Sequence, residues 1–468
     1  MLIGWSSIDI TPSRPVVLRG QFYARISQRI NDPLTATVLA LEGTDARGGS
    51  HQAVVVSCDR VNAPSVVVAR LAEAVAPRIP DFDVNLLFVN ATHTHTAPEI
   101  EEGHYPEQDP NVMTPTEYQD FFVERVANAI VQAWQGRTEG SVSWGYGHAV
   151  VGHNRRISYA GGLARMYGPT NQPDFESVEG YEDHGVDLLF TWDTRSDLTG
   201  MIVNLACPSQ VTESEYYVSA DFWHEARVEI RRRHGEQVFI MPQCSAAGDQ
   251  SPHLLLHKAA EHNMLRRRGL TERQEIGRRI ANAVDDVLPL AREEICSGLP
   301  LAHSVRVIAL PVRMVTRAEY EAASREYERW EQERPAPDDV TATSCRFVMM
   351  KRYERVMKRY LEQEQNPVYD TEVHVVRLGD VAFATNPFEL FLDFGLRIKA
   401  RSQALQTFIV QLTGTGKNAI SCYLPTAKAV AAKSYGAEVA DNVVGPEAGQ
   451  LLVDRTVEMI NALWPEAT

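Results

Sequence analysis

The sequence predicts an α/β fold, a mixed sheet with flanking helices, in a single domain that carries a charged helical insertion. Three observations predict it. Short apolar, β-branched runs alternate along the chain with segments of helical period. The 468 residues are 44% hydrophobic and 23% charged, values of a folded globular chain and not of a disordered or coiled-coil one. A chain of this length buries roughly three quarters of the surface its unfolded form exposes, so it needs no disulfide or metal merely to fold.

In chain order, strands are predicted where apolar and β-branched residues run together. They fall at 53–58 (Ala-Val-Val-Val-Ser-Cys), 84–90, 142–145, 187–192, 201–206, 238–242, 305–310, 375–378, 381–385 and 408–411. Helices are predicted where the apolar period lengthens, at 64–75, 115–135, 220–233, 271–292, 317–333, 346–364, 388–400 and 447–463. No internal repeat is visible. The stretch 317–365 differs in composition, being dense in Glu, Arg and Lys with a Pro-Ala-Pro-Asp-Asp break at 335–339. It reads as a solvated helical hairpin whose Phe347-Val348-Met349-Met350 run is the buried stripe, a charged face being preferred to a docking surface.

The balance of 46 Lys+Arg against 61 Asp+Glu gives a net charge of −15, a sign that repels phosphate backbones and anionic headgroups. Nucleic-acid binding and stable membrane association are therefore not expected. No apolar run approaches the ~20 residues of a membrane helix, and the start lacks a basic region followed by an apolar one. The chain is accordingly expected to be cytoplasmic and to act on a small-molecule substrate, with homo-oligomer formation left open. Cysteines 58, 207, 244, 296, 345 and 422 are scattered without a Cys-x-x-Cys, so free thiols are expected, with Cys207 as the exception argued below.

Four segments carry candidate chemistry. In Asn90-Ala91-Thr92-His93-Thr94-His95-Thr96-Ala97-Pro98-Glu99, two histidines at i and i+2 follow an apolar strand. Sheet edges bind ligands, and imidazole is the commonest zinc ligand, so this run reads either as a metal and substrate site or as two histidines capping a strand. In Gln243-Cys244-Ser245-Ala246-Ala247-Gly248-Asp249, small residues around Ser245 let backbone N–H groups approach a substrate. The pattern is not the Gly-x-Ser-x-Gly elbow, so an α/β-hydrolase is not implied. The third segment, Asn204-Leu205-Ala206-Cys207-Pro208-Ser209-Gln210, places a thiol that is either a small buried hydrophobe or a ligand. The fourth, Asn386-Pro387-Phe388-Glu389-Leu390, puts a carboxylate where a strand meets a helix, in its first turn. Gly414-Thr415-Gly416-Lys417 is a decoy: position 411 is Gln and Lys417 is followed by Asn418, so the phosphate-loop pattern fails at both ends.

These segments, in this order, resemble the catalytic domain of the neutral/alkaline, non-lysosomal ceramidase family. The matching residues are Gly4-x4-Asp9-Ile10-Thr11-Pro12, the His93-Thr94-His95 run with Pro98, Ser245-x-x-Gly248-Asp249-x-Ser251-Pro252, Pro387-x-Glu389, and Tyr423 and Tyr435. The resemblance covers essentially positions 1–468 and omits the family's C-terminal β-sandwich domain. It implies zinc-dependent cleavage of an amide. His93, Glu389 and Tyr423 are then Zn²⁺ ligands, and His95, Arg155, Ser245 and Tyr435 face the scissile bond. It also exposes a departure: where the family has its second histidine ligand, this chain has Cys207. Three consequences are ranked in order: thiolate ligation tuned to another substrate, His224 as the substitute ligand, or loss of zinc. Ser245 is left as either a nucleophile or an oxyanion-positioning group. The charged insertion and acidic surface point to a soluble polar substrate instead of membrane ceramide, with a carbohydrate derivative as the alternative substrate. Two rivals remain, a non-catalytic ligand-binding protein and a metal-free serine hydrolase.

Overall fold

A computed structural model describes residues 1–336, 338–417 and 422–464. Three sheets, not one large one, organise the chain. The first has four principal strands, Leu2–Asp9, Thr35–Thr44, Ser50–Cys58 and Leu87–Ala91, edged by Thr138–Glu139 and Thr413–Gly414. Ser50–Cys58 and Leu87–Ala91 run parallel, as the intervening Ser65–Val75 crossover helix requires. The second sheet holds Ser141–His148, Gly185–Trp192, Leu198–Leu205 and Phe239–Cys244; the third holds Leu301–Pro311, Val368–Leu378, Val381–Thr385 and Gln406–Val410.

Each sheet buries one face under its own helices. Ser65–Val75 and Pro115–Gln135 cover the first around Val38, Leu71 and Val126. Phe222–His234 and Glu272–Glu293 cover the second, and Leu392–Arg401 and Pro446–Asn461 the third. The opposite faces share one central cluster, where Leu39, Val55 and Phe88 meet Leu189, Ile202 and Met241 and then Val376 and Phe408. Strands buried on both faces read as unbroken apolar runs, which is why Val54-Val55-Val56 signals a strand without alternation. Because the three sheets converge, their strand ends deliver loops to one place.

Most predicted elements are present, with shifted ends. The strands Leu2–Asp9 and Thr35–Thr44 and the helices Lys258–Arg268 and Ala427–Ala432 are additional. One correction bears on the site. The 388–400 segment does not begin as a helix: Glu389–Leu390 is a strand paired in parallel with Tyr423–Leu424, and the helix starts at Leu392. The carboxylate is therefore placed by a backbone ladder and not by a helix dipole. The insertion is the expected hairpin, Arg317–Gln332 and Val340–Glu362, with Pro337 of its break outside the described residues. It is not wholly a solvated face, because Val348 is buried with Val17, Ala24 and Tyr105. All six cysteines are free. Gly414 belongs to the edge pairing of the first sheet, and Asn418 lies outside the described residues. No helix among the described residues is long and apolar enough to cross a membrane.

Candidate active site

Beyond the Leu87–Ala91 strand the chain turns sharply, and His93 takes φ 64°. A non-glycine residue in this left-handed region costs roughly 1–3 kcal/mol, a strain that persists where the surroundings over-determine it. Here the turn aims the imidazole inward. His93 Nδ1 lies 2.7 Å from the Val61 carbonyl oxygen; donating there leaves the Nε2 lone pair facing the Glu389 carboxylate 3.4 Å away. Glu389 is in register with Tyr423, and the Tyr423 hydroxyl hydrogen-bonds to it. Arg155 donates to the same hydroxyl at 3.0 Å and to the Gly248 carbonyl at 2.8 Å. Tyr435 stands edge-on to Tyr423, ring centroids 5.3 Å apart.

His93, Glu389, Tyr423 and Tyr435 form the floor of a cavity of about 480 Å³ that His95 also lines, with Arg155 behind it. One side of its wall comes from the insertion, through Val348, Arg352 and Arg355. Burial works against the Glu389 carboxylate, yet His93, Arg155 and the Tyr423 hydroxyl hold its pKa below the usual range. Burial pushes the Tyr423 phenol well up, with Arg155 opposing. The His95 imidazole is pushed well down by burial and then by His93 and three arginines, so it is neutral.

His95 Nε2 is 3.3 Å from His93 Nε2 and 2.8 Å from the Gln210 amide nitrogen. Its other nitrogen faces Glu213 at 3.8 Å, and Glu213 in turn reaches His253 at 3.4 Å. The ring packs directly on Gly20, where a Cβ would stand 2.4 Å from His95 Cγ and where φ is +117°. Only glycine fits that position.

The remaining expected residues sit apart from the cavity. Cys207 belongs to the apolar cluster of Phe222, Trp223 and Ala226, its Sγ 3.4 Å from the Pro208 carbonyl, and burial pushes its thiol well up. Its loop does reach the site, but through its neighbours: Ser209 bonds to the Thr92 carbonyl at 2.9 Å and Gln210 to His95. His224 is on the Phe222–His234 helix and does not line the cavity. Ser245 is buried just past the Phe239–Cys244 strand, its amide bonded to the Leu205 carbonyl, and it does not line the cavity either. The turn it opens supports Glu389 from beneath, for a Cβ at Gly248 would stand 2.3 Å from the Glu389 carbonyl oxygen.

The fold has known counterparts. The structure aligns with the neutral ceramidase from Pseudomonas aeruginosa at a TM-score of 0.68 and 18% identity, covering 100% of this chain and 75% of that one. A ceramidase complexed with C2 aligns at 0.67 and 16% identity, covering 100% and 76%. The chain has the neutral ceramidase fold. No family model and no curated protein matches the sequence.

Zinc, which the resemblance implies, can be tested against the donors present. Among the described residues no three His, Cys, Asp or Glu side chains group as a metal site. The group that does converge is one imidazole, one carboxylate and one phenol: His93 Nε2, Glu389 and Tyr423. Catalytic zinc sites take three protein ligands and keep one position open, so this set fits without the thiol. Sequence reasoning missed Gln210, Glu213, Gly20 and Arg355. A glycine after Arg19 was a signal that could have been read as a close approach; the others are ordinary polar residues until the fold brings them in.

Proposed function

We propose that this protein is a hydrolase of an amide or related acyl bond, with zinc held by His93, Glu389 and Tyr423. The observation that carries the reading is the convergence of those three side chains on the floor of a cavity. Zinc bound there supplies Lewis acidity to the scissile carbonyl and an acidified water. The chain's own residues do the rest. His95, braced by Gln210 and Gly20, hydrogen-bonds the substrate beside the reacting carbon. Tyr435 lines the cavity over Tyr423 and donates its hydroxyl to the acyl oxygen, the oxyanion role. Arg155 holds the Tyr423 hydroxyl in place from behind. Ser245 is given a positioning role, anchoring the turn under Glu389 instead of attacking the carbonyl.

A soluble polar substrate is the second part of the proposal. Five Lys or Arg and three Asp or Glu side chains line the cavity beside Phe22, Val348, Val356 and Val443, and that density of charge supports a substrate that carries a polar group. The test is a rate comparison of water-soluble N-acyl and O-acyl compounds with ceramide in detergent micelles, before and after chelation and zinc return. Turnover of a soluble acyl compound that falls at least ~10²-fold on chelation supports the reading. A rate indifferent to chelation removes the metal from it, and ceramide as the best substrate removes the polar-substrate part.

A further inference from the structure

The insertion adds a feature that the hydrolytic chemistry does not use. Although the whole chain is acidic, the cavity wall is basic, and its basic side chains differ in how they are paired. Arg19 is held by Glu99 at 3.0 Å and Arg352 by Asp441. Arg359 donates to the Val439 and Arg313 carbonyls at 2.7 and 3.0 Å. Lys358 has Glu362 at 3.9 Å. Arg355, one turn beyond Arg352 on the Val340–Glu362 helix, has no hydrogen-bond or ion-pair partner among the described residues. It lines both the cavity and the adjoining groove that continues past Arg19 and His104.

Arg355 is exposed at the mouth of the cavity, and the charges around it favour an anionic partner. Partial desolvation in the cavity wall lowers its pKa, and Arg19 and Arg352 add repulsion, with Asp441 and Tyr435 opposing them. Burial, and then Arg19, Arg355 and Lys351, depress the neighbouring His104 to about 2, so that ring stays neutral and supplies no counter-charge. The groove's carboxylates are Glu101, Glu102 and Glu354. Glu102 is engaged by Thr116, and burial together with Glu99 raises Glu101 toward its neutral form. A guanidinium with five donors, none used, at the mouth of a substrate cavity is a fork for an oxyanion.

We propose that Arg355, with Arg19 beside it, binds a carboxylate or phosphate carried by the substrate, so that the preferred substrate is an anionic acyl compound. This rests on the hydrolase reading for what happens at the cavity floor, but the recognition itself is measurable without turnover. The experiment uses the full chain and three matched probes: N-acetylethanolamine, its phosphate ester, and N-acetyl-β-alanine. Calorimetric affinities and hydrolysis rates are measured for the wild type, Arg355→Gln and Arg355→Lys, with thermal melts confirming that each variant folds.

The expected result is that at least one anionic probe binds at least ~10-fold tighter than the neutral one, about 1.4 kcal/mol. The anionic-to-neutral ratio should collapse in Arg355→Gln and recover in part in Arg355→Lys. The phosphate and carboxylate arms show which oxyanion fits. Equal wild-type affinity for neutral and anionic probes, no binding of any probe, or a preference that survives Arg355→Gln each overturns the proposal. Anionic preference in binding with no hydrolysis of any probe leaves the recognition standing and counts against the hydrolase reading alone.

Discussion

Glu389 and Tyr423 are register partners in a two-residue parallel pairing, and their side chains hydrogen-bond on the floor of the cavity. The backbone ladder thus fixes a carboxylate and a phenol with respect to each other, and His93 reaches the same carboxylate from a third element at 3.4 Å. A site assembled from strand ends is rigid because its supports are the buried core, so ligand groups need little reorganisation when they act.

Removing the Tyr423 hydroxyl should separate function from folding. It accepts from Arg155 and bonds Glu389, while Arg155 keeps the Gly248 carbonyl. Tyr423→Phe is expected to lower kcat/KM by about 10²-fold or more and stability by only ~1–2 kcal/mol. Steady-state kinetics and a denaturant melt check this; an unchanged rate would take the phenol out of the site.

Gly20 tests the placement of His95. A Cβ there meets the His95 ring at 2.4 Å, and the backbone sits at φ +117°. Gly20→Ala should displace His95 and lower kcat/KM at least ~10-fold, since small misplacements of a positioned group are costly. Zinc content should remain that of the wild type, because His93 keeps its own support from Val61. Metal analysis beside the kinetics decides the point.

Cys207 is expected to behave as a core residue. Its thiol is fully buried among Phe222, Trp223 and Ala226, so Cys207→Ala should cost ~1–2 kcal/mol from lost contacts. Zinc stoichiometry should not change. Loss of metal in a folded Cys207→Ala protein would restore the thiol as a ligand.

A pH-dependent contribution to stability is expected away from the site. Burial raises the pKa of Glu275, but Arg278 and Arg279 outweigh it and hold the carboxyl at about 2, below the usual 4.5. A depressed folded pKa means stability that is present above pH 4.5 and fades as the pH falls toward 2. Glu275→Gln should therefore be less stable than the wild type by ~1–3 kcal/mol at pH 7, with the gap closing below pH 4.5. Urea melts across pH 3–7 read it out; a gap independent of pH would contradict the ion-pair account.

Much of this was legible in the sequence where signals are local. His93 and His95 could be found because an apolar run ends immediately before them, and Tyr423 and Tyr435 because the family resemblance preserves their spacing. Non-local pairing was not legible. Glu389 reads as a helix start until its partnership with Tyr423 is seen, since a two-residue ladder leaves no periodicity of its own. Cys207 shows the same limit: its loop can be named from the sequence, but not the rotation that packs the thiol with Phe222, Trp223 and Ala226. Arg355 was hidden in a helix rich in charges, where any one arginine looks like a solvated surface residue until the cavity appears beside it.

The first coordination shell of zinc in the loaded protein, seen by X-ray absorption, tests the central claim most directly. Ligation by His93, Glu389 and Tyr423 predicts nitrogen and oxygen neighbours only, at about 2.0–2.2 Å. A sulfur shell near ~2.3 Å, or a protein that binds no zinc, would contradict it.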